Sequence, residues 1–312
     1  LYRQDPDKYR GWLFDQIFVD EGQDLGPEDY RVLLWLLRPL PSGERPITIF
    51  YDDAQNLMAL PRPNWSEIGL NVVGRTSVMT DCHRNTREIV NVAFNVLIGS
   101  CATKERRVAT KTYADMTTLR DRSLIRETDN WVEILFAKRT GPLPIHHQHN
   151  TRTEEKRWVA REVRRLIVEE HVKPSDILIV FKSPREFEAL EAEMIEAVGA
   201  RLKGYVHAYH QKDVDDYIFQ EDKLTIATPF GAKGYDAFVV FGLGIDQYGA
   251  EEKERAAFYV GATRTKYQLY LSGVKRVNPT LLDECRECLD YMAKGNVSVP
   301  ESPIAPQDGN HP

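Results

Sequence analysis

Short apolar runs alternate with segments of helical period in the first eighty residues. Residues 14–19 and 47–51 are apolar runs that end in acidic residues, and residues 77–80 form a weaker run. After Gly26 and Pro27, apolar side chains recur at the spacing of one helix face, at Tyr30, Leu33, Leu34 and Leu37. The pattern predicts strands that alternate with a helix.

The same alternation continues through the rest of the chain. Thr86 is placed to cap a helix with the apolar face Ile89, Val92, Ala93 and Val96. Further strands are predicted over residues 132–136, 177–181, 223–228, 237–241 and 267–272. Further helices are predicted over residues 153–170, 254–262 and 281–293, and around Phe187, Leu190 and Met194. Such alternation is typical of parallel sheets covered by helices, so we predict an α/β fold.

Two segments lack this periodicity. Residues 101–130 are polar and charged, which predicts a linker or an irregular surface excursion. Residues 296–312 are rich in Pro, Ser and Gly, which predicts a flexible tail.

The composition narrows the class of protein. The 312 residues are 42% hydrophobic and 28% charged, as in globular domains with apolar cores. The longest apolar run has nine residues, residues 237–245, whereas a membrane-spanning helix needs about 20. Four cysteines do not make a disulfide framework in a chain of this length, which favours a reducing, cytoplasmic location. A net charge of −6 still permits a local basic groove.

The strongest chemical signal follows the first apolar run. Residues 17–24 read I-F-V-D-E-G-Q-D, so a strand delivers Asp20 and Glu21 at its carboxyl end, where α/β sheets bind ligands. Hydrolysis of ATP needs one carboxylate for Mg²⁺ and a group that orients or deprotonates the attacking water. Asp20 and Glu21 would suit these roles, although an acidic loop before a helix would have the same sequence.

Four further segments follow in order. Residues 52–55 read D-D-A-Q, residues 83–86 read H-R-N-T, residues 228–236 read T-P-F-G-A-K-G-Y-D, and residues 259–266 read Y-V-G-A-T-R-T-K. Together with D-E-G-Q-D at residues 20–24, this series resembles the motifs of the UvrD/Rep-type superfamily 1 DNA helicases. The matches are spread over most of the chain.

The resemblance implies a role for each matched residue. The catalytic set would be Asp20, Glu21, Gln55, Arg84 and Arg264. In that set Asp20 would bind Mg²⁺, Gln55 and Arg84 would contact the γ-phosphate of ATP, and Arg264 would be the arginine finger. Nucleotide contacts would also come from Asp20, Gln23, His83, Gly234 and Asp236. DNA contacts would come from Arg62, Trp65, Thr228, Phe230 and Lys233.

The resemblance also implies a domain organisation with RecA-like parallel sheets and flanking helices. Residues 1–80 would be the C-terminal part of a first ATPase lobe, and residues 81–295 would be a complete second lobe. The flexible tail at residues 296–312 would follow.

Three positions depart from the family pattern. His83 stands where the family has a tyrosine that stacks on adenine, and Phe230 stands where it has a histidine. The family places an aromatic pair near the DNA after the glutamine, whereas residues 57–62 lack one. Trp65 is a candidate substitute, and the alternative is a buried tryptophan beside a helix start at Ser66.

A phosphate-binding loop of the form G-x-x-x-x-G-K-[ST] does not occur in the sequence. The family carries that loop upstream of the D-E motif, so we expect a longer parent protein that supplies it. We expect this chain alone not to hydrolyse ATP appreciably, because the phosphates would not be held in place. The interval between residues 181 and 228 is too short for the large insertion of many relatives, which predicts a compact variant.

Three smaller patterns have simple interpretations. The four arginines of residues 157–165 would suit a phosphate backbone, but a solvated helix face is favoured. The three histidines of residues 146–149 resemble metal ligands without acidic or cysteine partners nearby, so a surface loop is favoured. Cys285 and Cys288 form one C-x-x-C, and a zinc site would need two more ligands.

The resemblance implies that the parent protein couples ATP hydrolysis to 3′-to-5′ movement on single-stranded or partially duplex DNA, with ATP and Mg²⁺ as cofactors and DNA repair among its roles. Two alternatives stay open. One is a non-catalytic, helicase-like module that binds a nuclease or a repair complex. The other is a nucleotide-dependent switch without a DNA track.

Overall fold

The structure is a computed structural model, and it describes residues 13–58, 60–77, 82–102, 116–128, 131–198, 206–208 and 223–295. Strands β1 to β5 are Ile17–Val19, Ile47–Ile49, Ile125–Thr128, Trp131–Ile134 and Ile145–His149. Strands β6 to β10 are Ile177–Phe181, Val206–Ala208, Leu224–Ala227, Ala237–Leu243 and Thr265–Val274. Helices α1 to α7 are Pro27–Trp35, Arg87–Ile98, Met116–Asp121, Arg152–Val168, Phe187–Val198, Glu252–Ala262 and Leu281–Ala293. The predicted strand at residues 77–80 and the tail at 296–312 lie, apart from Ser77, outside the described residues.

The N-terminal unit, residues 13–77, contains a two-stranded parallel sheet. Strands β1 and β2 pair in register from Ile17 opposite Ile47, and α1 connects them. The helix begins at Pro27, where the Asp29 carboxylate accepts a hydrogen bond from the Gly26 N–H at 2.8 Å. Both predicted strands are confirmed over three residues, the last three of residues 14–19 and the first three of residues 47–51. Their carboxyl ends therefore lie side by side.

The C-terminal unit, residues 82–295, contains a six-stranded, wholly parallel sheet in the order β5-β10-β9-β6-β8-β7. Alternate residues of β6 face opposite sides of it. Leu178 and Val180 join a core with α2, α6 and α7. Ile177, Ile179 and Phe181 join a second core with α4 and α5. Helices thus cover both faces of the sheet, which confirms the predicted α/β fold class.

The histidine segment is a strand, so the prediction of a surface loop was wrong. Strand β5 pairs in parallel with β10, from Ile145 opposite Tyr270 to His149 opposite Val274. An edge strand forms backbone hydrogen bonds with one neighbouring strand only. In β5 the hydrogen bonds to β10 stabilise the strand although its sequence is polar. Among the described residues, no group of three or more His, Cys, Asp or Glu side chains could hold a metal.

The same edge strand makes the unfolding free energy depend on pH. His149 is buried against His147 and Trp158, and its Nε2 has no hydrogen-bond partner among the described residues. Burial lowers the pKa of His149 to about 4, the positive charges of His147, Arg161 and Arg152 lower it too, and Glu154 opposes them. The unfolded chain therefore binds the proton more tightly, with a pKa of about 6.5. The contribution of neutral His149 to the free energy of unfolding is therefore fully present above pH 6.5, and it is lost as the pH falls towards 4.

We expect His149→Gln to remove part of this pH dependence. Between pH 7 and pH 4.5 the wild-type chain should lose roughly 1–2 kcal/mol more than the variant, with some reduction because solvent reaches an edge strand. Thermal unfolding at several pH values measures the difference. His171→Asn is the matched control, since His171 is exposed and Asn tolerates its left-handed backbone. Parallel pH profiles for wild type and His149→Gln would refute the account.

The described part of the segment at residues 101–130 is more regular than predicted. Residues 116–128 contain α3 and β3, and β3 forms an antiparallel hairpin with β4. Asn91 and Asn95 of α2 accept hydrogen bonds from the N–H groups of Ile134 and Val132, each at 2.9 Å. These side chains fix the hairpin to the helix.

The smaller patterns have structural partners. In α4, Arg165 pairs with Glu162 and Glu170, and Arg157 pairs with Glu193. These carboxylates neutralise part of the positive charge on the arginine face of the helix. Both cysteines of the C-x-x-C are fully buried in the core. No helix in the described ranges is both long enough and apolar enough to cross a membrane.

Candidate functional site

The carboxyl end of β1 forms a tight, strained turn. Glu21 adopts the left-handed conformation, with φ 52° and ψ 45°, which costs a non-glycine residue about 1–3 kcal/mol and is typical of functional sites. At Gly22 a Cβ atom would lie 2.6 Å from both the Tyr30 hydroxyl and Ile49. The Tyr30 hydroxyl donates to the Gly22 carbonyl at 2.6 Å, and burial raises the pKa of Tyr30 to about 12. The Tyr30 hydroxyl therefore stays protonated at neutral pH, and its hydrogen bond holds the acidic turn in place.

A chain of polar side chains connects the ends of β1 and β2. Gln23 is buried, donates to the Glu21 carboxylate, and accepts from the Asp52 N–H at 3.0 Å. The Asp52 carboxylate accepts from the Gln55 side-chain amide at 2.7 Å. Gln23 thus links Glu21 to Asp52, and Asp52 in turn binds Gln55. The orientations of Glu21 and Gln55 are therefore connected through these hydrogen bonds.

Two contacts join this acidic end to the C-terminal unit. Arg264 Nη2 donates to Gln55 Oε1 at 3.2 Å. Lys233 Nζ lies 2.6 Å from Asp24 Oδ2 and 3.3 Å from Glu21 Oε2. We call these side chains, with Arg84 and Asp236 below, the interlobe cluster. Residues from all five motif segments meet in it.

The C-terminal side of the cluster carries more positive than negative charge. Arg84 Nε lies 3.1 Å from Asp236 Oδ2, and Arg264 Nη1 lies 3.8 Å from Asp236 Oδ1. Burial lowers the pKa of Arg264, and the charge of Arg84 lowers it further. Asp236 Oδ1 has no hydrogen-bond partner among the described residues. Two guanidinium groups thus share one carboxylate, an arrangement that favours binding of an additional anion.

Backbone contacts hold Arg264 in place. It follows the end of α6, its Nε donates to the Val260 carbonyl at 3.0 Å, and it is 1% exposed. The buried side chain of Asn85 donates to the carbonyls of Thr263 and Thr265 at 2.7 and 2.6 Å. Thus the residue next to Arg84 positions the segment that carries Arg264.

The candidate residues of the loop after β8 lie in different environments. Thr228 is buried, and its hydroxyl accepts from the Gly231 N–H at 3.1 Å. Phe230 is exposed, whereas Lys233 faces the carboxylates of the N-terminal unit. Gly234 has a φ of 84°, which favours glycine. The loop therefore contributes Lys233 to the interlobe cluster and Phe230 to the surface.

Trp65 is half-buried in the N-terminal unit. Its ring packs edge-on against Tyr30 and Tyr51, at centroid distances of 5.2 and 5.8 Å. The guanidinium of Arg62 lies over the Tyr51 ring at 5.4 Å. His83 is exposed beside Arg84. The aromatic contacts give Trp65 a packing role and leave part of its ring accessible.

Asp20 has the chemistry of a magnesium ligand. It is exposed, and its Oδ1 accepts the Glu21 N–H at 2.9 Å. Mg²⁺ usually binds one or two protein carboxylates together with waters and phosphate oxygens. A single carboxylate at a strand end fits that donor set.

Three contributors to the cluster were absent from the predicted site. Asp24 pairs with Lys233, Asp52 holds Gln55, and Asn85 fixes the backbone around Arg264. Asp24 and Asp52 lie within the recognised motifs and could have been found there. No sequence signal identifies the pairing of Asp24 with Lys233, because 209 residues separate them.

Comparisons with known proteins add little to this geometry. No protein-family model matches the chain, and no curated protein matches it significantly. Among solved structures, it is similar to the C-terminal domain of a possible DNA helicase from Lactobacillus plantarum WCFS1, with a TM-score of 0.40 and 18% identity. The similarity covers 66% of this chain and 96% of that one. At that score the likeness carries no argument about function.

Proposed function

We propose that the chain is part of an ATP-dependent DNA helicase or translocase, with a nucleotide site at the interlobe cluster. The observation that carries the proposal is the contact of Gln55 with Arg264 and of Asp24 with Lys233. Together with the contact of Arg84 with Asp236, these contacts bring five separate segments together around groups suited to a phosphate chain. An acidic loop without a nucleotide role would not require contacts with a buried guanidinium group and a lysine ammonium group from another unit.

Each group has a defined part in hydrolysis under this proposal. Asp20 holds Mg²⁺, which supplies positive charge to the phosphate oxygens when bound. Glu21 orients or deprotonates the attacking water from its strained backbone position. Arg84 and Arg264 stabilise the negative charge that develops on the γ-phosphate. Acids from one unit and arginines from the other thus act on one substrate.

The same division connects hydrolysis to movement. Lys233 pairs with Glu21 and Asp24, and Asp236 pairs with Arg84. A bound nucleotide competes for these charges, so its binding changes the contacts between the units. Relative motion of the units then moves a bound single strand, in the 3′-to-5′ direction that the motif resemblance implies.

Glu21→Gln tests the proposal. In a form of the protein that includes a phosphate-binding loop, we expect ATP hydrolysis on single-stranded DNA to fall by about 10²–10⁴-fold, because the base is lost. ATP binding should persist, since Gln keeps the size and polarity of the side chain. Steady-state hydrolysis and equilibrium ATP binding give the two readouts. Glu28→Gln, an exposed carboxylate on α1, is the matched control. Undiminished hydrolysis in Glu21→Gln would reject the assignment.

A second candidate is a non-catalytic, helicase-like module that binds a nuclease or a repair complex. A module of this kind would need no phosphate-binding loop, and the 312 residues contain none. The two candidates differ in DNA-stimulated ATP hydrolysis by a protein that carries both this chain and the loop. Hydrolysis without any DNA stimulation would instead favour a nucleotide-dependent switch.

A further inference from the structure

Two exposed aromatic rings stack on each other at the edge of the interlobe cluster. Phe238 of β9 and Tyr267 of β10 have ring centroids 4.8 Å apart and planes inclined by 8°. The two side chains remain 40% and 39% exposed. Ala237 and Val239, on either side of Phe238, are buried, so the exposed ring pair leaves an aromatic surface accessible to a ligand.

A β-bulge produces the pair. Thr265 lies opposite Ala237, and Gln268 lies opposite Val239, so three steps along β10 match two steps along β9. Both Lys266 and Tyr267 are consequently exposed. Bulges occur often beside active sites, where they redirect a side chain. Here the bulge places the Tyr267 ring against Phe238.

The pair lies within a few residues of the charged groups of the cluster. Phe238 is two positions after Asp236, about 7 Å along an extended chain, and Tyr267 is three positions after Arg264. Asp236 immediately precedes β9, and Phe238 is the second residue of that strand. Lys266 adds an exposed positive charge next to Tyr267. These separations place the rings within reach of the base of a nucleotide whose phosphates lie at the arginines.

We propose that Phe238 and Tyr267 form a platform for the base of a bound purine nucleoside triphosphate. The inference rests on the proposed function, because it takes the phosphates to lie at the interlobe cluster. Stacking recognises the face of a base and leaves its hydrogen-bonding edge unread. Adenine and guanine nucleotides are therefore expected to bind with similar affinity.

Nucleotide binding by a form of the protein that includes a phosphate-binding loop tests the platform. The probes are ATP, GTP and inorganic tripolyphosphate, which has phosphates and no base, together with an oligothymidylate of about ten nucleotides. Competition titrations give each Kd, and saturation-transfer NMR detects contact between aromatic protein protons and the base protons. We expect Phe238→Ala and Tyr267→Ala each to raise the Kd for ATP and GTP about tenfold and to remove the transfer to the base. Affinity for tripolyphosphate should not change.

The controls separate stacking from fold and charge. Tyr267→Phe keeps the ring and should bind ATP like the wild type. Trp35→Ala removes an exposed ring from α1 and should change nothing. All substituted side chains are exposed, so thermal unfolding should stay close to that of the wild type.

Three results would overturn the platform: unchanged ATP affinity in both alanine variants, an equal loss of tripolyphosphate affinity, or a loss confined to the oligothymidylate. The last would assign the rings to DNA. If wild-type chain binds tripolyphosphate and ATP equally well, the platform fails and the phosphate site stands. If it binds neither, the proposed nucleotide site fails and the platform fails with it.

Discussion

Glu284→Ala is expected to lower the free energy of unfolding by about 3–5 kcal/mol. The Glu284 carboxylate accepts two hydrogen bonds from Arg255, at 2.7 and 2.9 Å, and the side chains of the pair are 4% and 1% exposed. Arg255 also donates to the carbonyl of Val96. Without the carboxylate, the guanidinium stays buried with its charge uncompensated, which the low-dielectric interior penalises strongly.

Denaturant unfolding with matched variants isolates this effect. Glu287→Ala removes a carboxylate of the same helix that is 58% exposed, so a change within about 0.5 kcal/mol is expected. The double variant Arg255→Met with Glu284→Leu should recover much of the loss, since two apolar side chains replace two charges. A loss below about 1 kcal/mol in Glu284→Ala would show that solvent reaches the pair.

The buried pair matters for the interlobe cluster because of the elements it connects. Arg255 lies on α6, which leads directly to Arg264, and Glu284 lies on α7. Val96 lies on α2, which begins three residues after Arg84. One ion pair therefore ties together the helices that support both arginines of the cluster, so its loss should loosen the cluster as well as the core.

The apolar pattern predicted most of the C-terminal unit because its central strands are buried on both faces. Strands β6 and β9 appear in the sequence as continuous apolar runs. Edge strands contain fewer apolar residues, so β5 with its histidines was assigned to a loop, and β7 was not predicted. The hairpin of β3 and β4 is held by hydrogen bonds that Asn91 and Asn95 accept from its backbone, and such contacts leave no periodic signal.

The candidate site was predictable only in part. Motif resemblance identified Gln55 and Arg264, and the structure brings them into contact. It assigned Lys233 to DNA binding, whereas the structure places Lys233 beside Asp24 and Glu21. Both contacts join residues that are 209 positions apart in the chain, and local sequence does not encode such contacts.

Arg264→Ala is expected to reduce kcat for DNA-stimulated ATP hydrolysis by about 10³–10⁵-fold, the range of an arginine finger. The protein must include a phosphate-binding loop for this test. Arg264 approaches Gln55 from the other unit and lies beside Asp236 of its own unit, so its loss removes charge stabilisation in the transition state while most ground-state contacts to ATP remain. Kd for ATP should therefore change far less than kcat.

Two further variants make the Arg264 prediction specific. Arg264→Lys should not restore activity, since an ammonium group cannot reproduce the planar fork that reaches Val260 and Gln55 together. Arg276→Ala removes an arginine that pairs with Asp246 at 2.7 Å outside the cluster, and it should hydrolyse ATP normally. Because Arg264 is buried, thermal unfolding of each variant must show a folded chain before rates are compared. A folded Arg264→Ala protein with kcat within tenfold of the wild type would exclude an arginine-finger role and leave Arg264 as a contact between the units.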